Sequence, residues 1–144
     1  MNIPTITVDQ SGVVVLKKIL DANDGILCIG EAEKEIPFLI KRFYFITNLQ
    51  HTISERGKHA HRELSQVIFC VNGSFTLSLD DGTNRQDIHM EKGPLGIVLG
   101  PRLWHTMHNF SNDCALLVVA SDLYKESDYI RNYDDFIAFV KGGK

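Results

Sequence analysis

Two histidines separated by one residue, His59 and His61, stand in the run Arg56-Gly-Lys-His-Ala-His-Arg-Glu-Leu-Ser-Gln66. Along an extended strand, residues i and i+2 project from the same face, so the two rings share one pocket. Imidazole titrates near neutral pH and passes protons in both directions, which makes such a pair a candidate for acid/base catalysis. The plainer alternative is two satisfied or solvated polar residues at a strand end. A second cluster, Leu103-Trp-His105-Thr-Met-His108, brings four of the six histidines into two short segments. Arg56 and Arg102 each lie close to one of these clusters.

The elements that must position these residues are mostly strands. Gln66 to Leu79 reads as two β-rich runs joined by Asn72-Gly73, a dipeptide that fits a type I′ turn and predicts a hairpin. A further strand runs from about Arg85 to Met90 and ends before Gly93-Pro94, and Leu95–Leu99, Leu103–His108 and Cys114–Ala120 continue the series. Upstream, Gly25–Gly30 and the long aromatic run Phe38–Ile46, which carries Tyr44, are also strand-like. Only the tail changes period: Phe136, Ile137 and Val140 predict one amphipathic helix over about Tyr133–Val140. Many short strands between turn residues predict an all-β jelly roll or double-stranded β-barrel with a short C-terminal helix.

The chain has 144 residues, 44% hydrophobic and 23% charged, with 15 Lys plus Arg against 18 Asp plus Glu. That composition predicts one globular domain over residues 1–144 with a sizeable core. A net charge of −3 offers no basic surface for nucleic acid, yet leaves room for a local cationic site. No apolar run reaches the roughly 18 residues of a membrane helix, and the first ten residues lack the pattern of a secretory signal. The expected location is the cytoplasm. Cys28, Cys70 and Cys114 are far apart in apolar stretches and are expected to be small core residues.

The spacing Gly57-x-His59-x-His61-x4-Gln66-x6-Gly73 resembles the first motif of the cupins, and Pro101-x3-His105-x3-Asn109 resembles the second. In metal-binding cupins a Glu stands where this chain has Gln66, so the resemblance comes without the carboxylate ligand. A metal set of His59, His61, Glu63 and His105 stays open as an alternative.

Over nearly its full length the sequence also resembles a narrower family, the dTDP-4-keto-6-deoxyglucose 3,4-ketoisomerases. The resemblance rests on Ile36-Pro-Phe, Lys41-Arg-Phe-Tyr-Phe, Arg56-Gly-Lys-His-Ala-His, Cys70-Val-Asn-Gly-Ser, Leu99-Gly-Pro, Leu103-Trp-His-Thr-Met-His, Ala120-Ser-Asp and Tyr129-Ile-Arg-Asn-Tyr-Asp. Lys58, Arg62 and Asp24 depart from it. It implies migration of a ketone from C4 to C3 of a dTDP-linked hexose through an enediol, with no cofactor. The product would lead to a 3-amino-3,6-dideoxyhexose for a surface polysaccharide or S-layer glycan. It further implies His61 as the carbon base and His59 as the relay between the two oxygens, an order open to reversal. Tyr44 and His105 become candidates for hydrogen bonds to the enediolate, Arg56 and Arg102 for the diphosphate, and Gln66 for a place beside the substrate. The implied assembly is a homodimer, with strand exchange a possibility. Two other readings remain: a metal-dependent cupin oxygenase and a non-catalytic cupin that binds a nucleotide sugar.

Overall fold

The structure, a computed structural model, describes residues 2–49 and 55–142. Its strands are β1 Ser11–Val15, β2 Lys17–Asp21, β3 Gly25–Ile29, β4 Arg42–Ile46, β5 Glu55–His61, β6 Gln66–Asn72, β7 Ser74–Asp80, β8 Arg85–Glu91, β9 Leu95–Leu99, β10 Trp104–His108, β11 Ala115–Ala120 and β12 Tyr129–Ile130. A 3₁₀ turn at Glu126–Asp128 precedes β12, and the helix α1 covers Tyr133–Lys141. Two five-stranded sheets carry the fold, ordered β1-β9-β6-β11-β4 and β12-β5-β10-β7-β8, and β2 with β3 forms a separate ribbon. This is the all-β double sheet that the strand pattern predicts, with the short C-terminal helix in place.

Period-two alternation builds the core. On β7, Phe75, Leu77 and Leu79 are sealed inward, while Thr76 and Ser78 face outward and stay half-buried. They meet Ile68, Cys70, Ile97, Leu99, Leu116 and Val118 of the opposite sheet, and each fully buried Leu, Ile or Phe contributes about 1.5–3 kcal/mol. Strand β6 is buried on both faces, because Val67 and Phe69 pack outward beneath Ile36, Phe38 and Ile40. Helix α1 closes the end of the second sheet, with Phe136 buried against Ala60 and Ile130 and half-buried Trp104 edge-on to Tyr133. Asn132 caps its first turn by accepting from the Asp135 N–H, and the Tyr133 hydroxyl donates to Asp80 at 2.7 Å.

Three expectations need correction. Strands β6 and β7 do not form a hairpin: β6 pairs with β9 and β11, and β7 with β8 and β10, in the other sheet. Asn72-Gly73 is the corner between the sheets, and only Gly73 of the two has positive φ, so the type I′ geometry is absent. Burial on both faces of β6 overrides the local turn preference. Phe38–Lys41 is not strand, since these residues drape Phe38 and Ile40 over the first sheet and only Arg42–Ile46 pairs with β11. Cys70 and Cys114 are buried as expected, but Cys28 lies exposed on the β2–β3 ribbon.

Candidate active site

A bulge in β5 aims the histidines. His105 on β10 pairs with His59, but the next residue, Thr106, pairs with Gly57, so Lys58 is the extra residue. Gly57 and Lys58 both have positive φ, 84° and 57°. At Gly57 a Cβ would lie 2.8 Å from the His105 carbonyl oxygen, so the motif glycine is required by close approach as well as by φ. Beyond the bulge the strand resumes its alternation, and His59 and His61 project together as predicted. Their ring centroids are 5.0 Å apart, and His105 lies 4.7 Å from His59 and 6.1 Å from His61. Tyr129 closes the group, 5.0 Å from His59 and 4.4 Å from His61.

Hydrogen bonds fix how the rings carry their protons. The His59 Nδ1–H donates to the Gly57 carbonyl at 3.0 Å, and the His61 Nδ1–H donates to Asp128 Oδ2 at 3.0 Å. A carbonyl and a carboxylate only accept, so each Nδ1 holds the proton and each Nε2 holds a lone pair. His61 is 2% exposed and its Nε2 is buried without a partner, whereas His59 is half-buried. Burial, and then the neighbouring His61, lower the His59 pKa to about 4. Burial lowers His61 too, opposed by its bond to Asp128, and burial holds His105 well below the ordinary histidine value. All three rings are therefore neutral bases at physiological pH.

Gln66, 1% exposed, donates its Nε2–H to the Tyr44 hydroxyl at 3.0 Å and leaves its Oε1 buried and unpartnered. Burial raises the Tyr44 pKa, so the phenol stays protonated and able to donate. One nitrogen from each of His59, His61 and His105 lies within 4.8 Å of the others, a cluster able to meet one metal ion or one substrate group. The carboxylate that would complete a metal set is missing among the described residues: Glu63 is exposed, and its backbone N–H donates to Asp128 Oδ1. The set of His59, His61, Glu63 and His105 is thereby corrected to three histidines alone.

The two arginines part company. Arg56 is exposed on β5, within electrostatic range of Tyr44. Arg102 turns away, since its Nη2 donates to the Val140 carbonyl at 2.9 Å and its guanidinium lies 4.8 Å from the Phe139 ring centroid. It caps the C-terminal end of α1, where a cation is favoured, so its expected place at the diphosphate is corrected. Sequence reasoning also missed Asp128, Tyr129 and Arg42. Tyr129 and Arg42 fall inside segments that carried the family resemblance, but nothing local distinguishes Asp128 from its acidic neighbours Asp122 and Glu126.

The chain matches known proteins along nearly its whole length. Residues 9–141 match the family described as FdtA: WxcM-like, C-terminal. The chain is 44% identical over 131 residues to the TDP-4-oxo-6-deoxy-alpha-D-glucose-3,4-oxoisomerase of Aneurinibacillus thermoaerophilus, covering 91% of this chain and 93% of that one. It superposes on the 3,4-ketoisomerase of Thermoanaerobacterium thermosaccharolyticum, solved as a mutant in complex with TDP-4-keto-6-deoxyglucose, with a TM-score of 0.90 and 37% identity over 94% of this chain and 97% of that one. A 3,4-ketoisomerase from Helicobacter canadensis gives a TM-score of 0.88 and 40% identity over 94% and 99% of the two chains.

Proposed function

The chain belongs to the FdtA, WxcM-like C-terminal family, and from that premise we propose that it moves the ketone of a TDP-linked 4-keto-6-deoxyhexose from C4 to C3 by proton transfer on histidine. The observation that carries the mechanism is a cluster of three neutral imidazoles, one of them backed by the Asp128 carboxylate. The 4-keto group acidifies the C3 proton. A base removes it, an enediolate forms, the O3 proton passes to O4, and C4 takes a proton from the same base, leaving the ketone at C3. Each step moves a proton, and no electron leaves the sugar.

His61, whose bond to Asp128 stabilises the ring as it takes up a proton, takes the carbon-bound proton, the order that the family resemblance implies. His59, half-buried with no bond to its Nε2 among the described residues, relays the proton between the oxygens. Tyr44 and His105 donate to or position the enediolate, Gln66 fixes Tyr44, and Arg56 meets the diphosphate. A 3-keto sugar is the substrate a transamination would consume, consistent with an amino sugar destined for a surface glycan.

Incubation with TDP-4-keto-6-deoxyglucose in deuterated buffer, followed by NMR of the ring protons, tests this reading. The C3 proton should exchange and a 3-keto product appear, whereas a binding protein leaves that proton in place. The metal-dependent alternative draws support from the three clustered nitrogens. Turnover before and after dialysis against EDTA, with residual metal quantified, should stay constant. A rate that falls with metal removal and returns on adding one ion back would overturn the metal-free mechanism.

A further inference from the structure

Among the described residues, three buried side-chain polar atoms lack any hydrogen-bond partner: Arg42 Nε, His61 Nε2 and Gln66 Oε1. Buried polar atoms are almost always paired, so orphans gathered at one place mark where a ligand supplies the missing partners. Arg42 and Gln66 lie together, and Arg42 is within electrostatic range of His61. Ala120 pairs with Arg42 on one side and with Gln66 on the other, which sets the two orphans in one row of the first sheet, about 10 Å apart at Cα. Arg42 shares the inward face of β4 with Tyr44, while Phe43 and Phe45 point outward and are exposed.

Arg42 is also a cation without a counter-ion. It is half-buried, it has no carboxylate within ion-pair distance among the described residues, and its guanidinium carbon lies 5.9 Å from the ring centroids of both Tyr44 and Tyr124. Holding such a charge partly out of water is unfavourable unless an anion completes it. Its field reaches the centre of the site, opposing protonation of His61 and favouring ionisation of Tyr44.

Building on the isomerase reading, we infer that Arg42 is a further catalytic residue, whose guanidinium donates to the sugar oxygen on which negative charge develops as the C3 proton leaves. The competing source of anionic oxygen is the diphosphate. The place of Arg42 in one row with Gln66 and on one face with Tyr44 favours the sugar, while the diphosphate has exposed Arg56.

The test compares wild type, Arg42→Gln and Arg42→Lys for turnover of TDP-4-keto-6-deoxyglucose, TDP affinity by calorimetry, and thermal unfolding of the free protein. Loss of a preorganised donor to a developing oxyanion typically costs about 10²–10³ in kcat, and that is the expected loss for Arg42→Gln. TDP affinity should hold within a few-fold. Thermal stability should not fall, since the deleted donor satisfied no partner. Arg42→Lys keeps the charge and most of the stem, so it should fold even if the Gln variant does not, and should still lose kcat. Near-wild-type kcat in either variant would overturn the inference. Lost TDP affinity with kcat retained would overturn it in favour of the diphosphate. A wild-type protein that leaves the C3 proton in place would overturn the isomerase reading itself, and the role of Arg42 with it.

Discussion

A histidine acts as a base only while it is neutral, and the site keeps its rings neutral by burying them. With His59 lowered to about 4 and His61 also lowered by burial, kcat/KM plotted against pH should hold its value through the ordinary histidine pKa near 6.5 and decline only at lower pH. Stability follows the same sign. A ring whose folded pKa is depressed binds fewer protons folded than unfolded, so its contribution is complete above about 6.5 and is lost as pH falls toward about 4. Denaturant midpoints measured from pH 7 to 4.5 should decline through that window, and His59→Asn should flatten the decline. Substituting either catalytic ring should lower kcat by about 10²–10⁴, with His61→Asn abolishing exchange of the C3 proton and His59→Asn retaining it. The opposite pattern would make His59 the carbon base. Asp128→Asn tests the positioning of His61. An amide there can present N–H to Nδ1 and force the other tautomer, so kcat should fall by about 10²-fold or more with TDP affinity little changed. A variant that changes only KM would make Asp128 structural. The histidine pair is legible from sequence because i, i+2 spacing is a local rule. Asp128 is not, because it reaches His61 from 67 residues away.

At the scale of the elements, the bulge in β5 is what turns the Gly-x-His-x-His spacing into a site. Gly57→Ala would force a Cβ against the His105 carbonyl at a φ of 84°, strain of about 1–3 kcal/mol. The expected result is a lower unfolding midpoint together with reduced kcat, because the displaced strand carries His59 and His61 and presses on His105. Stability lost without any change in kcat would show that the bulge supports the fold and leaves the rings alone. The strands themselves are largely legible, since alternation such as that of β7 states its buried face. The partner of a strand is less so. Asn72-Gly73 looks like a hairpin turn, yet β6, apolar at nearly every position, is buried on both faces between β9 and β11 and cannot fold back on β7. Phe38–Ile46 reads as one aromatic strand, but Phe38 and Ile40 are apolar because they cover the first sheet from outside.

For the whole molecule, the feature that one chain leaves unexplained is the β2–β3 ribbon. Among the described residues its strands pair only with each other, and cross-strand pairs of apolar residues stand exposed on its two faces, Ile19 with Leu27 and Leu20 with Ile26. Leu20 is 70% exposed and Ile26 62%, and the outward face of edge strand β4 adds Phe43 at 65% and Phe45 at 68%. An isolated two-stranded ribbon is marginal in water, and exposed apolar surface on soluble proteins marks association surfaces. The family resemblance implies a second copy of the chain as partner, and we propose that the ribbon seats against it. Light scattering at micromolar concentration should therefore give a mass near twice 16.3 kDa. Leu20→Lys with Ile26→Lys would place two cations on one ribbon face, where they disfavour burial against a partner and leave the histidine cluster untouched. That double variant should run as a monomer, or form dimers only at much higher concentration, while far-ultraviolet circular dichroism stays that of a β protein. A monomeric wild type, or a double variant that dimerises as well as wild type, would show that the ribbon is not the dimer contact.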